Sequence, residues 1–90
     1  MGYKFKFKCV MLSPNKIVLE REVESVFVTG DRGEYELLAY HYPVLGVIQK
    51  SDVVINGTER IPINGGILRF FANECTILIE EAIERITKKG

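Results

Sequence analysis

The sequence is poor in the residues that build catalytic and metal centres. It has one histidine, two cysteines and three serines in 90 residues. Cys9 and Cys75 lie far apart, with no Cys/His ligand spacing beside them, so a zinc site is excluded. Both sit in apolar, strand-like runs, and buried reduced thiols are the expectation rather than a disulfide. No stretch approaches 18 uninterrupted apolar residues, so no membrane-spanning helix is expected and no direct membrane insertion. Lys4, Lys6 and Lys8 interrupt the one apolar stretch near the start, and a secretory leader is not expected. Neither charge sign dominates: 12 basic residues face 12 acidic ones. The electrostatic footprint of a nucleic-acid or anionic-lipid binder is therefore missing. No glycine loop carries the lysine and following helix of a phosphate site, because Gly30-x-x-Gly33 has neither.

What is present is enough apolar material for one small core. Hydrophobic residues make up 47% and charged residues 27% of the chain, as in folded domains and unlike disordered ones. A chain of this size buries about 64% of its unfolded surface, which suits a single domain.

The pattern is that of strands. Tyr3, Phe5, Phe7, Cys9 and Met11 alternate with Lys4, Lys6 and Lys8, which puts the two sets on opposite faces. Ser13-Pro14-Asn15 supplies a turn. A second run spans Ile17 to Thr29, and its apolar parity switches near Glu24-Ser25, where a bulge or break is expected. Gly30-Asp31-Arg32-Gly33 reads as a tight turn before a strand at Glu34 to Leu38. Further runs cover Val44 to Ile48, Asp52 to Ile55, Glu59 to Ile63, Ile67 to Phe71 and Cys75 to Ile79. Asn56-Gly57 between two such runs is a strong hairpin signal. Asn64-Gly65-Gly66 reads as another turn, needing positive φ or close backbone approach. Glu80 to Gly90 has acid in its first turn and lysine in its last, with Ile83 and Ile86 one helical edge apart, and predicts a short helix. The expected fold class is all-β: an antiparallel β-sandwich or flattened barrel of about 8–10 short strands over residues 1–79. A helical tail at 80–90 belongs to the same domain.

Chemistry is sparse. His41 has Glu34 and Glu36 near it in sequence, but before Pro43 it reads as a turn or interface residue rather than a general base. The Glu20, Glu22, Glu24 stripe lacks metal-loop spacing and reads as a solvated strand face. Lys4, Lys6 and Lys8 read as a solvent face that guards an edge strand. The residues alone end at a module that works by contact with other proteins.

Val26 to Pro43 reads V-F-V-T-G-D-R-G-E-Y-E-L-L-A-Y-H-Y-P. This resembles the N-terminal β-sandwich domain of the epsilon subunit of F-type ATP synthase, called delta in mitochondria. The family shows V-x-V-x-G-x-x-G-E-x-G-[IV]-x-P-G-H-A-P, which Val26, Val28, Gly30, Gly33, Glu34, His41 and Pro43 match. Ser13-Pro14, Glu22 to Val26, Asn64 to Ile67, Asn73 with Thr76-Ile77-Leu78, and Ala82 extend the likeness over roughly residues 3 to 84. Glu36, Ala39, Tyr40, Tyr42 and Ser51 depart from the pattern, mostly around His41.

The resemblance implies a non-catalytic rotor subunit of the F1 central stalk, on the cytoplasmic face of a bacterial membrane. Such a subunit links the gamma subunit to the membrane c-ring and couples proton flow to ATP synthesis. It implies that Glu34, Tyr35, His41, Tyr42 and Pro43 lie at the ring-facing end, and that one sheet face packs on gamma. No counterpart of the family's C-terminal helical hairpin, with its inhibitory role and its nucleotide site, is expected within these residues. No cofactor or metal is implied. The alternatives are a free-standing β-sandwich interaction module and a small enzyme using His41 with Glu34 or Glu36.

Overall fold

The structure is a computed structural model and describes residues 5–80. Seven strands follow one another: β1 Phe7–Leu12, β2 Ile17–Val23, β3 Ser25–Gly30, β4 Gly33–Leu38, β5 Val44–Ile55, β6 Glu59–Phe71 and β7 Glu74–Ile79. They form one hydrogen-bonded sheet in the order β2-β1-β7-β6-β5-β3-β4. Every neighbouring pair is antiparallel except β1 and β7, which run parallel. The all-β class is as the alternation predicts. The predicted helix from Glu80 to Gly90 falls, beyond Glu80, outside the described residues.

The core comes mainly from period-two alternation along the strands, β2 adding Val23 at its end. Phe7, Cys9 and Met11 of β1 point inward with Val26 and Val28 of β3, Leu37 of β4 and Ile77 of β7. Phe7 and Phe70 meet edge to face, with ring centroids 5.2 Å apart. Inward residues from both ends of the strand order share one cluster, so the sheet folds over on itself as a two-layered, flattened barrel. The ion pair of Arg21 on β2 with Glu59 at the start of β6 ties the layers at the surface. Its half-exposed partners add only about 0–1 kcal/mol. Lys8 pairs with Glu20 at 3.4 Å across β1 and β2, joining one residue of the lysine stripe to one of the glutamate stripe.

The strand count falls to seven because two predicted breaks are continuous strand. β5 and β6 pair in one unshifted register from Val44↔Phe70 to Ile55↔Glu59. Midway, both strands change which alternate residues face inward. On β5 the inward set moves from Ile48 to Val53 and Ile55; on β6 it moves from Ile63 to Leu68 and Phe70. The exchange happens at one level, with Ser51 opposite Ile63 and Ile48 opposite Gly66. Asn64-Gly65-Gly66 is therefore not a chain reversal. Gly65 has φ +105°, which lets the pleat change face, and a Cβ on Gly66 would lie 2.2 Å from the Leu78 carbonyl oxygen. The close-approach reading of these glycines holds. The break near Glu24 is real, and separates β2 from β3. The Asn56-Gly57 hairpin is also real, with both residues at positive φ as a type I′ turn requires.

Candidate interaction surface

Two surfaces stand out, and both follow from where the fold leaves apolar side chains. The first is a row across five strands. Register places Ile17, Leu12, Leu78, Ile67 and Val47 side by side on β2, β1, β7, β6 and β5. All five occupy outward positions, and Ile17, Val47, Ile67 and Leu78 are about half exposed. With strands about 4.8 Å apart the row is about 19 Å long. An open groove of about 560 Å³ borders it, lined by Val47, Ile67 and Leu78 and rimmed by Asp31, Lys50, Asn64 and Glu80. An apolar strip with a polar rim is the anatomy of a protein contact.

The second surface lies where β4 passes into β5. Glu34 is exposed on β4, and Tyr35 is half-buried beside it. The Tyr35 ring crowds Gly30, and its hydroxyl lies beside Gly46. Burial, more than the nearby Asp31 charge, pushes the Tyr35 phenol pKa up. Glu34 and Tyr35 share a groove of about 240 Å³ with Val44 to Val47. Pro43, Val44 and Leu45 share a second groove, of about 420 Å³, with Arg69, Phe70 and Phe71. Val44 and Leu45 thus join the two groups of predicted residues.

His41 Nδ1 lies 2.8 Å from the Tyr42 carbonyl oxygen, and its backbone N–H donates to the Leu38 carbonyl at 3.1 Å. Its ring lies against Tyr42 and the edge of Phe70. These are the contacts of a turn residue, not of a base oriented by a carboxylate. Among the described residues no group of three or more His, Cys, Asp or Glu side chains is placed to hold a metal. Among the described residues there is no helix long and apolar enough to cross a membrane.

Sequence reasoning missed three residues at this end. Leu45 is 75% exposed, Tyr40 72% exposed and Phe71 58% exposed. Tyr40 has φ 65° in the left-handed region, which costs a bulky residue about 1–3 kcal/mol. The one available signal was Tyr40 standing where the resembled family carries glycine. The row of five was also missed, because strand order is not written in local alternation.

The inward Cys9 and Cys75 face each other across the parallel β1–β7 pair, buried and unoxidised. The Cys75 thiol donates to the Cys9 sulfur, and that bond together with burial pushes the Cys75 pKa up.

Comparison with known proteins shows which family the fold belongs to. The family described as ATP synthase, Delta/Epsilon chain, beta-sandwich domain, matches residues 6–85. An ATP synthase epsilon chain of Mesorhizobium japonicum is 34% identical over 87 residues, which is 92% of this chain and 63% of that protein. A sodium ion specific ATP synthase epsilon chain of Propionigenium modestum is 31% identical over 81 residues, 87% of this chain and 59% of that one. The chain therefore spans a little under two thirds of the length of these relatives. In the central stalk and c-ring structure of Tetrahymena thermophila mitochondrial ATP synthase, one chain superposes with TM-score 0.76 at 17% identity. The match covers 93% of this chain and 70% of that one.

Proposed function

The chain belongs to the β-sandwich family of ATP synthase delta and epsilon chains, and from that premise we propose that it is a non-catalytic rotor subunit of the central stalk. It links the gamma subunit to the membrane c-ring, and so couples ion flow, proton flow in the simplest case, to ATP synthesis. It sits as a peripheral part of F1, on the cytoplasmic face in a bacterium.

The observation that carries this reading is the pair of outward apolar surfaces on one stiff core. A rotor link needs two contacts and a body that does not yield between them. The core is close-packed across seven strands, and packed interiors transmit strain. The apolar row from Ile17 to Val47 is the face assigned to gamma, since rows of that kind bury well against another subunit. The end around Glu34, Tyr35, His41, Tyr42 and Pro43 is assigned to the ring. Glu34 is exposed there, and an ion pair to a polar loop would add only about 0–1 kcal/mol, orienting the contact more than tightening it.

Tagged chain recovered from native membranes is expected to bring down both gamma and the rotor ring. Recovery of neither overturns the rotor reading and leaves a free-standing interaction module. Glu34→Lys is expected to weaken coupling of ion flow to ATP synthesis while the thermal unfolding midpoint stays in place. Unchanged coupling removes Glu34 from the contact.

A further inference from the structure

We propose that the Tyr40 ring is a specificity-determining contact of the ring-facing end, held outward against the preference of its own backbone; this rests on the rotor reading above. Four non-glycine residues among those described have positive φ: Tyr40, Asn56, Ala72 and Asn73. Asparagine tolerates that region, whereas the Cβ of Ala72 and of Tyr40 is crowded there. Tyrosine is the bulkier of the two.

The turn does not need the ring. The Tyr40 N–H donates to Asn73 Oδ1 at 2.6 Å, and Asn73 Nδ2 donates to the Lys6 carbonyl at 3.1 Å. The His41 N–H donates to the Leu38 carbonyl. Glycine at position 40 would make the same backbone bond with no strain. The ring itself meets the edge of Phe5 at 6.1 Å and is 72% exposed. A costly backbone combined with an exposed ring points to use of that ring outside the fold.

Its neighbours indicate the occupant. Tyr42 and Leu45 are 74% and 75% exposed. Tyr40 and Tyr42 bracket His41 in the chain, and His41, Tyr42 and Pro43 belong to the end assigned to the ring. Tyrosine offers a rigid apolar face and one hydroxyl, which suits a loop that presents backbone and small polar groups. The occupant is accordingly a polar loop of a rotor-ring subunit.

The test measures binding of the chain, together with gamma, to rotor ring embedded in nanodiscs, and urea unfolding of the same variants. Tyr40→Gly is expected to hold or raise the urea midpoint and to weaken ring binding about fivefold or more. Ala72→Gly relieves a neighbouring positive φ without removing a ring, and is expected to leave binding unchanged. Tyr40→Phe is expected to retain most of the affinity. A lower urea midpoint for Tyr40→Gly would make the ring structural and overturn the proposal. Full binding by Tyr40→Gly, with binding lost in Leu45→Glu, would overturn the role of Tyr40 and keep the ring-facing end. Full binding by both would overturn that end as well. Equal binding to nanodiscs without ring would assign the patch to lipid instead, and overturn the occupant.

Discussion

Cys9 and Cys75 make the clearest statement a single pair of side chains makes about stability. The folded pair keeps a proton that the unfolded thiols release near about pH 8.5. The contribution of the raised Cys75 thiol is complete below that pH and falls as pH rises, by about 1.4 kcal/mol per pH unit for one proton, while the same bond pushes the Cys9 thiol down. The double variant Cys9→Ala with Cys75→Ala is expected to lose stability overall but to flatten this slope between about pH 8.5 and 10. Urea midpoints across that range would check it, and an unchanged slope would remove the pair as its source. The slope remaining above about pH 10 belongs to Tyr35, whose half-buried phenol is also pushed up by burial. The burial of both cysteines was legible from their apolar runs. Their juxtaposition was not, because it depends on a parallel pairing between strands far apart in sequence.

Among the elements, the long β5–β6 ribbon decides the architecture, and Gly66 is where it is least tolerant. An alanine Cβ there would meet the Leu78 carbonyl oxygen at 2.2 Å and the Ile79 Cα at 3.2 Å. Both are backbone, so relief means parting β6 from β7. Gly66→Ala is expected to cost about 1–3 kcal/mol, read as a fall in urea midpoint. A midpoint equal to the parent's would mean the strands do not approach so closely. Alternation showed where each half of the ribbon lies, and Asn56-Gly57 showed where it turns. The lengths were hidden, since a strand that changes its inward parity looks locally like two strands with a loop between. Gln49-Lys50 and Asn64-Gly65 carry polar and glycine residues because the pleat changes face there, not because the chain reverses.

For the molecule as a whole, the balance of surfaces matters more than any one contact. Ile67 lies within the row, between Leu78 and Val47, about half exposed and away from the core. Ile67→Glu is expected to change stability by no more than about 0.5 kcal/mol. Co-purification of gamma should be lost while ring binding in isolation persists, and retained gamma would assign that face elsewhere. The residues His41 to Pro43 were legible as part of a recognisable pattern. Leu45, Phe71 and the row were not, because exposure of an apolar residue depends on which layer covers it. The parallel β1–β7 pair has one more consequence. The first hairpin, β1 with β2, joins the rest of the sheet through that ladder alone. On the ribosome it emerges before the other strands of the sheet, and roughly sixty residues separate β1 from the β7 strand that receives it. At about 5–20 residues per second that is about 3–12 seconds with its inward face, Phe7, Cys9 and Met11, uncovered. During those seconds the apolar face that the folded sheet buries is open to aggregation in the nascent chain.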